Sequence, residues 1–355
     1  MQINSYNSKI IIDTDISSSL SEVLSKFQIN KICIIADDNT YKLCLPHLNE
    51  VIQQKNTFVL TINQGEKNKN IHTVQSIWEY LQTNNFDRED LVINLGGGLL
   101  LDVGGFAAAT YKRGIQFIHI PTTLLSMVDA SIGGKLGFNF KGIKNQIGLF
   151  HVPEFVLINP GFLKTLDKRQ LYAGWAEMIK HSLIDSEYQA NKIIEQNPLQ
   201  IKDTEWEQLI HESLTIKNYY VTNDPYEANM RKVLNLGHTI GHAFESLSVE
   251  QNDPLLHGEA VANGLICELF LSNSLLDFPK ETFSKFTRTV QASYKHFKIN
   301  KTKIDRLLEI MLYDKKNKYN KVNFTLLKKI GEPVIDQYVS EEIIKESLEY
   351  YMNLK

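Results

Sequence analysis

Apolar and polar positions follow two different periods in the two halves of this chain. In the first 160 or so residues, short β-branched or apolar runs at 10–12, 31–36, 58–62, 91–95 and 117–120 read as strands. Between them, 20–27, 41–54, 71–83 and 100–110 carry apolar residues at three- and four-residue intervals and read as helices, the second interrupted near Pro46. In the third, Val74, Ile77, Trp78 and Leu81 supply the apolar positions. Strands and helices alternating over short connections predict a parallel sheet with helices on both faces. Such sheets bind ligands at the carboxyl ends of their strands. After about Leu166 the helical period takes over, through most of 169–274 and again over 283–313. A late hairpin or strand is expected at 323–330 and a last helix from Ser340. The predicted organisation is an α/β domain over 1–165 and an all-helical domain over 166–355.

Length supports two domains, since single cores stop growing at roughly 250–300 residues and this chain has 355. A hydrophobic share of 43%, a charged share of 22% and a net charge of −3 describe an ordinary globular protein without the positive field that nucleic acid needs. Three cysteines without a CxxC pair fit a reducing cytoplasm and not a disulfide framework. The first ten residues carry no signal-peptide pattern, and no run of 18 apolar residues suggests a membrane span.

Four stretches carry candidate chemistry. In LVINLGGGLLLDVGGF (91–106) a strand opens into three glycines and a helix. That is either a plain βα turn or a backbone nest for a diphosphate, with Asp102 one turn into the helix. In PTTLLSMVDASIGGK (121–135) and FNFKGIKNQIGLFHVP (138–153), Thr122 and Thr123 end a strand. Lys135 and Lys144, flanked by glycines on expected loops, suit phosphates or carboxylates. In GWAEMIKHSLI (174–184), Glu177 and Lys180 share an otherwise apolar helical face, which suggests burial as a pair. Finally, Lys217, Glu227, Arg231, Asn235, His238 and His242 precede His257. From Glu227 the spacings of 4, 4, 3 and 4 line one face if the run is a single helix. Each histidine alone reads as a hydrogen-bonded structural residue or an exposed one. Together with nearby acids, His238, His242 and His257 could form a divalent-metal site, and Glu177 could complete a set with two of them.

Assembled, these residues resemble the 3-dehydroquinate synthase family, in order from about Gln64 to Gly331. The matching strings are GGG-x3-D-x-GGF, PTTLL-x2-VD-x-SIGGK, KN-x-IG-x-FH-x-P, G-x-AE-x-IKH, LN-x-GHTIGHA-x-E, HGEAV and DKK. The resemblance implies a Rossmann-like NAD+-binding domain followed by a helical domain carrying Zn2+ or Co2+, with the active site between them. It implies Glu177, His238 and His257 as metal ligands. It places NAD+ contacts at Gln64, Gly65, Glu66, Lys67, Asn68 and Lys69, at Gly98, Leu99, Leu100, Leu101 and Asp102, at Thr122 and Thr123, and at Phe162, Leu163, Lys164 and Thr165, with Lys135 and Lys144 also near the cofactor. It places Arg113, Asp129, Lys135, Lys144, Asn145, Lys180, Lys217, Glu227, Arg231, Asn235, His242 and a lysine of the DKK string, Lys316 in preference to Lys315, around the substrate. Where the family commonly has glycine before the aspartate of the glycine loop, this chain has Leu101.

The implied reaction acts on 3-deoxy-D-arabino-heptulosonate 7-phosphate, a sugar acid with one phosphate. It runs through transient oxidation at C5 by NAD+, phosphate loss, re-reduction, ring opening and aldol closure to 3-dehydroquinate, a step of the shikimate pathway. The enzyme would be a carbon–oxygen lyase that regenerates its NAD+, and a homodimer is the expected assembly. The competing readings are another sugar phosphate cyclase, acting on a substrate without the carboxylate, and a metal-dependent polyol dehydrogenase. The density of cationic side chains argues against a neutral polyol.

Overall fold

The computed structural model describes residues 1–141, 143–312 and 321–354. These fall into two compact units, Met1–Asp167 with Ile201–Tyr226, and Lys168–Gln200 with Glu227–Lys355. The chain thus leaves the first unit at 167, returns to it for 201–226, and leaves again.

The first unit is built on the strand and helix pattern of the first 160 residues. Its elements are β1 (Gln2–Ser5), β2 (Ser8–Ile12), α1 (Ile16–Leu24), β3 (Ile32–Asp37), α2 (Asp38–Leu43), α3 (Asn49–Ile52), β4 (Thr57–Ile62), α4 (Ile71–Thr83), β5 (Leu91–Gly96), α5 (Gly98–Thr110), β6 (Gln116–Pro121), β7 (Lys135–Phe140), β8 (Ile143–Phe150) and β9 (Phe155–Ile158). In chain order, α6 and α7 fall in the second unit, and α8 (Asp203–Asn223) comes back to the first. The main sheet runs β1-β2-β9-β6-β5-β3-β4. All its pairings are parallel except β1 with β2. Side chains of β3 and β5 are buried on both faces, as a covered parallel sheet requires. Cys33, Ile35, Val74, Ile77, Phe86, Val92, Val103 and Phe117 form the packed core between sheet and helices.

The chain goes outward from β3 to β4, then crosses back to β5 on the other side of β3. The direction of winding therefore switches between β3 and β5, where an open parallel sheet offers a crevice. The glycine turn after β5 opens beside that point.

Two expectations need correction here. The segment carrying Lys135 and Lys144 is not a pair of loops. It is an antiparallel hairpin, β7–β8, with Lys135 opposite Phe150 and Gly137 opposite Gly148. And 201–226, expected in the helical half, groups with the first unit and contains α8.

The second unit contains α6 (Lys168–Asp185), α7 (Glu187–Ile194), α9 (His238–Glu250), α10 (His257–Leu276), α11 (Lys280–Ser293), α12 (Lys301–Leu312), the hairpin β10 (Val322–Leu327) with β11 (Pro333–Val339), and α13 (Glu341–Met352). Every residue of α10 from Gly258 to Leu269 is buried, so this helix is the centre of the unit. It packs against α6, α9, α11, α13 and β10. Gly258 makes the α6 approach possible, because a Cβ there would sit 1.9 Å from the carbonyl oxygen of Ala173.

Glu227 to His242 is not one helix, so the condition under which these residues would share a face is not met. Glu227 has a φ of 57°, Met230–Asn235 is a 3-10 helix, Gly237 is left-handed at φ 80°, and α9 begins at His238. A left-handed residue ends one helical path before the next starts, so Glu227, Arg231 and Asn235 do not continue the His238–His242 face.

Candidate active site

In the first unit, the candidate nucleotide residues lie at the carboxyl ends of neighbouring strands. Gln64–Lys69 follows β4, Gly98–Asp102 opens α5 after β5, Thr122 and Thr123 follow β6, and Phe162–Thr165 follows β9. Thr122 N–H donates to the Gly96 carbonyl at 3.0 Å, and the Thr123 hydroxyl meets Ser126 at 2.9 Å. The helix N-terminus at Gly97–Gly98 leaves backbone N–H groups facing that edge.

Lys69 ties this edge together. Its ammonium donates to Asp102 at 2.5 Å and to Asn145 on β8 at 2.6 Å. The Lys69 carbonyl accepts from Asn139 N–H at 2.8 Å, and the Asn139 amide donates to Glu66 at 2.8 Å. The hairpin is thereby fastened to the 64–69 segment. Burial lifts the Asp102 carboxyl above its usual range although Lys69 pulls the other way. Lys217, on α8, donates to the side chain of Asp129 at 2.6 Å and to its carbonyl at 2.5 Å. Leu101 is fully buried, so its side chain belongs to the core, whereas Lys135, Lys144 and Lys164 are exposed. Phe162 and Leu163 are buried too.

Arg113 stands apart. It lies past the C-terminal end of α5, on a turn with Lys112 at φ 49° and Arg113 at φ 70°. Gly98 and Asp102 open the other end of that 13-residue helix, about 20 Å away at 1.5 Å per residue.

In the second unit, α6, α9 and α10 each deliver part of one cluster. Glu177 and Lys180 on α6 are 0% and 1% exposed, and they pair as expected. His238 is the first residue of α9, His242 lies one turn later, and His257 is the first residue of α10. His238 Nε2 is 3.5 Å, and His257 Nε2 3.4 Å, from the same oxygen, Glu177 Oε1. The opposite ring nitrogens are backed by oxygens, His238 Nδ1 by the Leu236 carbonyl at 3.1 Å and His257 Nδ1 by Glu245 at 3.5 Å. A carbonyl can only accept, so Nδ1 of His238 carries the proton and Nε2 presents a lone pair. His238, His242 and His257 also bring one ring nitrogen each to within 4.8 Å of one another. The sequence expectation set His242 outside the metal set. Among the three, it is the exposed one.

The electrostatics of this cluster call for a cation. Neither oxygen of buried Glu177 accepts an aligned hydrogen bond, although the Lys180 ammonium lies against Oε2. Burial opposes the Glu177 charge, but Lys180, His238 and His257 together hold the carboxyl well below its usual range. Burial, with Lys180 adding to it, pushes His238 well below 6.5, so this ring is neutral. Burial also works against a charged His257. The carboxylates of Glu177 and Glu245, one beside each ring nitrogen, overcome it and raise the ring to about 10. Between His257 Nε2 and Glu177 Oε1, 3.4 Å apart, a proton stands where a divalent cation would be held. One anionic oxygen and two imidazole nitrogens, once the His257 proton is displaced, make a donor set that suits zinc or cobalt as a catalytic metal.

Two supports were not legible from spacing. Glu245 belongs to a recognisable string, but its role behind His257 depends on α9 and α10 meeting. Glu259 takes two hydrogen bonds from Arg169, each 2.6 Å, and accepts from Leu256 N–H at 2.8 Å, fixing the start of α10 and so His257. Arg231 is buried, Asn235 donates to Glu227 at 2.7 Å, and Lys232 pairs with Asp336 at 3.0 Å. Lys315 and Lys316 lie outside the described residues.

A parallel-sheet unit with a glycine turn at its ligand edge, and a helical unit gathering one carboxylate and two histidines, have the architecture of a nucleotide- and metal-using enzyme. The fold matches a 2-deoxy-scyllo-inosose synthase, solved with carbaglucose-6-phosphate, NAD+ and Co2+, at TM-score 0.87 and 23% identity over 99% of this chain and 100% of that one. A 2-epi-5-epi-valiolone synthase from Streptomyces hygroscopicus, solved with NAD+ and Zn2+, matches at 0.82 and 22% over 98% of each chain. Family profiles described as 3-dehydroquinate synthase N-terminal and C-terminal match residues 59–173 and 174–317. A 3-dehydroquinate synthase of Parabacteroides distasonis is 42% identical over 97% of both chains, and one of Clostridium tetani is 36% identical over 97% of this chain and 92% of its own. The chain belongs to the 3-dehydroquinate synthase family, and it is an NAD- and divalent-metal-dependent lyase of that family.

Proposed function

We propose that this enzyme converts 3-deoxy-D-arabino-heptulosonate 7-phosphate into 3-dehydroquinate and phosphate. The observation that carries the reading is the convergence of His238 and His257 on one buried Glu177 oxygen, in a chain 42% identical to a 3-dehydroquinate synthase. Glu177, His238 and His257 hold the metal. The residues at the strand ends, from Gln64–Lys69 to Phe162–Thr165, hold the dinucleotide. When bound, the metal supplies Lewis acidity toward a substrate oxygen and NAD+ supplies a reversible hydride acceptor.

The chain's own residues do the rest. His242, exposed and one turn beyond His238, takes the substrate hydroxyl proton and passes it to solvent. Arg231 suits a bidentate grip on the substrate carboxylate, and Lys180 holds an oxygen beside the metal. Glu227 fixes Asn235 for hydrogen bonding to substrate hydroxyls. In the first unit, Lys135, Lys144, Asn145 and the Lys217–Asp129 pair supply cationic and polar contacts for phosphate groups. A homodimer is the assembly this reading expects, and three buried free thiols suit a reducing cytoplasm.

The test is phosphate release from the heptulosonate phosphate. Release is expected with NAD+ and Zn2+ or Co2+ present, with a chelator abolishing it and no NADH accumulating. Absence of release with every component present removes the proposal. Stoichiometric NADH formation would replace it with a dehydrogenase.

A further inference from the structure

The helix that begins with His238 has no cap of its own. Its N-cap residue is Gly237, in the left-handed region, with no side chain to offer the first turn. Nor is there room for one, because a Cβ at Gly237 would lie 2.6 Å from Leu265 on α10. Two of these donors are met from that neighbouring helix. Glu268, twelfth residue of α10 and 0% exposed, accepts from Gly237 N–H at 2.6 Å and from Ile240 N–H at 3.1 Å, one bond to each carboxylate oxygen. A fully buried carboxylate is costly unless its oxygens are engaged, and here both are engaged by one helix terminus. The terminus itself favours negative charge.

The same turn sets the direction of His238. The Leu236 carbonyl that orients the imidazole is one residue before the Gly237 N–H that Glu268 holds. Movement of this turn shifts both the Cα of His238 and the oxygen behind its ring. His242 lies a full turn deeper and rests on α9's internal hydrogen bonds.

We infer that Glu268 is a positioning residue for His238. Its carboxylate, reaching from α10, caps α9 and fixes where the His238 imidazole points. The inference rests on the reading of His238 as a metal ligand. It predicts that loss of the cap weakens metal binding while leaving the proton chemistry of His242 intact.

The test uses Glu268→Gln, which keeps the shape and one acceptor oxygen but presents an amide N–H to one of the two donors. Co2+ and Zn2+ affinities are measured on the full chain by chelator competition, with the visible spectrum of bound Co2+ and the pH profile of kcat. Metal Kd is expected to weaken by about tenfold or more, with a changed Co2+ spectrum and an unshifted pH profile. Leu348→Ala, buried on α13, serves as a destabilised comparison expected to keep wild-type affinity once folded. His238→Ala separates the two levels. If it binds metal as tightly as wild type, the ligand reading fails and this inference falls with it. If His238→Ala loses metal but Glu268→Gln keeps the wild-type Kd and spectrum, the inference alone is overturned. Equal weakening in Leu348→Ala overturns it too.

Discussion

Replacing His257 by alanine removes a ring that faces two carboxylates, Glu177 and Glu245. Replacing His242 removes an exposed ring beside them. The two substitutions are expected to separate. His257→Ala loses bound metal after gel filtration, whereas His242→Ala retains it and loses roughly 10²–10⁴ in kcat. Equal metal loss, read by elemental analysis, would put His242 among the ligands. A different histidine governs acid stability. His119 on β6 is buried beside Asn94, their side-chain nitrogens 3.3 Å apart, and burial lowers its pKa to about 3. The unfolded chain binds this proton near pH 6.5 and the folded chain does not. Stability is therefore fully present above 6.5 and lost as pH falls toward 3, by about 2 kcal/mol at pH 5. Urea titrations at pH 7.5 and 5 should show a smaller difference in His119→Gln, and an unchanged difference would assign the acid sensitivity elsewhere. Of these residues, Glu177 was legible because its helical neighbours are apolar, which marks a charge for burial. Glu245 and Glu268 were not, because a carboxylate's partner on another helix leaves no periodic trace.

Between elements, the decisive contacts are made where side chains are missing. Gly258→Ala would drive a Cβ into the Ala173 carbonyl at 1.9 Å, so α10 must move away from α6. Because Glu177 rides on α6 and His257 opens α10, the expected result is a loss of roughly 3 kcal/mol in unfolding free energy together with lower metal content. Wild-type metal content at that reduced stability would show that the cluster tolerates the shift. The helix pair around the histidines was readable from the sequence in its parts. The stretch before it would line one face only as a single helix, and spacings of three and four residues do not separate that helix from the 3-10 turn found there. The β7–β8 hairpin was misread as loop because its glycines look like turn residues. In fact Gly137 and Gly148 face each other, and a Cβ on either would meet a backbone oxygen of the opposite strand at 2.4 Å.

For the whole molecule, the change of period near Leu166 located the transition from sheet to helices, but helical spacing carries no information about which unit a helix joins. α8 shows this. It reads like its neighbours in sequence, yet Asn218 donates to the Asn4 carbonyl at 2.9 Å, the N-terminus pairs with Glu207 at 3.2 Å, and Lys217 holds Asp129. A fragment ending at 167 is therefore expected to unfold at lower urea concentration than 1–167 joined by a short linker to 201–226. Equal midpoints would mean that α8 adds nothing to the first unit.

The detour of the chain also has a consequence in time. On the ribosome, the main sheet is finished by residue 158, but the last helix of its unit ends at 223. At roughly 5–20 residues per second the nascent sheet waits several seconds, with Asp129 lacking its lysine, while α6 and α7 emerge. During that interval the newborn protein depends on the sheet and its first five helices without α8, and chaperone binding or proteolysis would find it most exposed there.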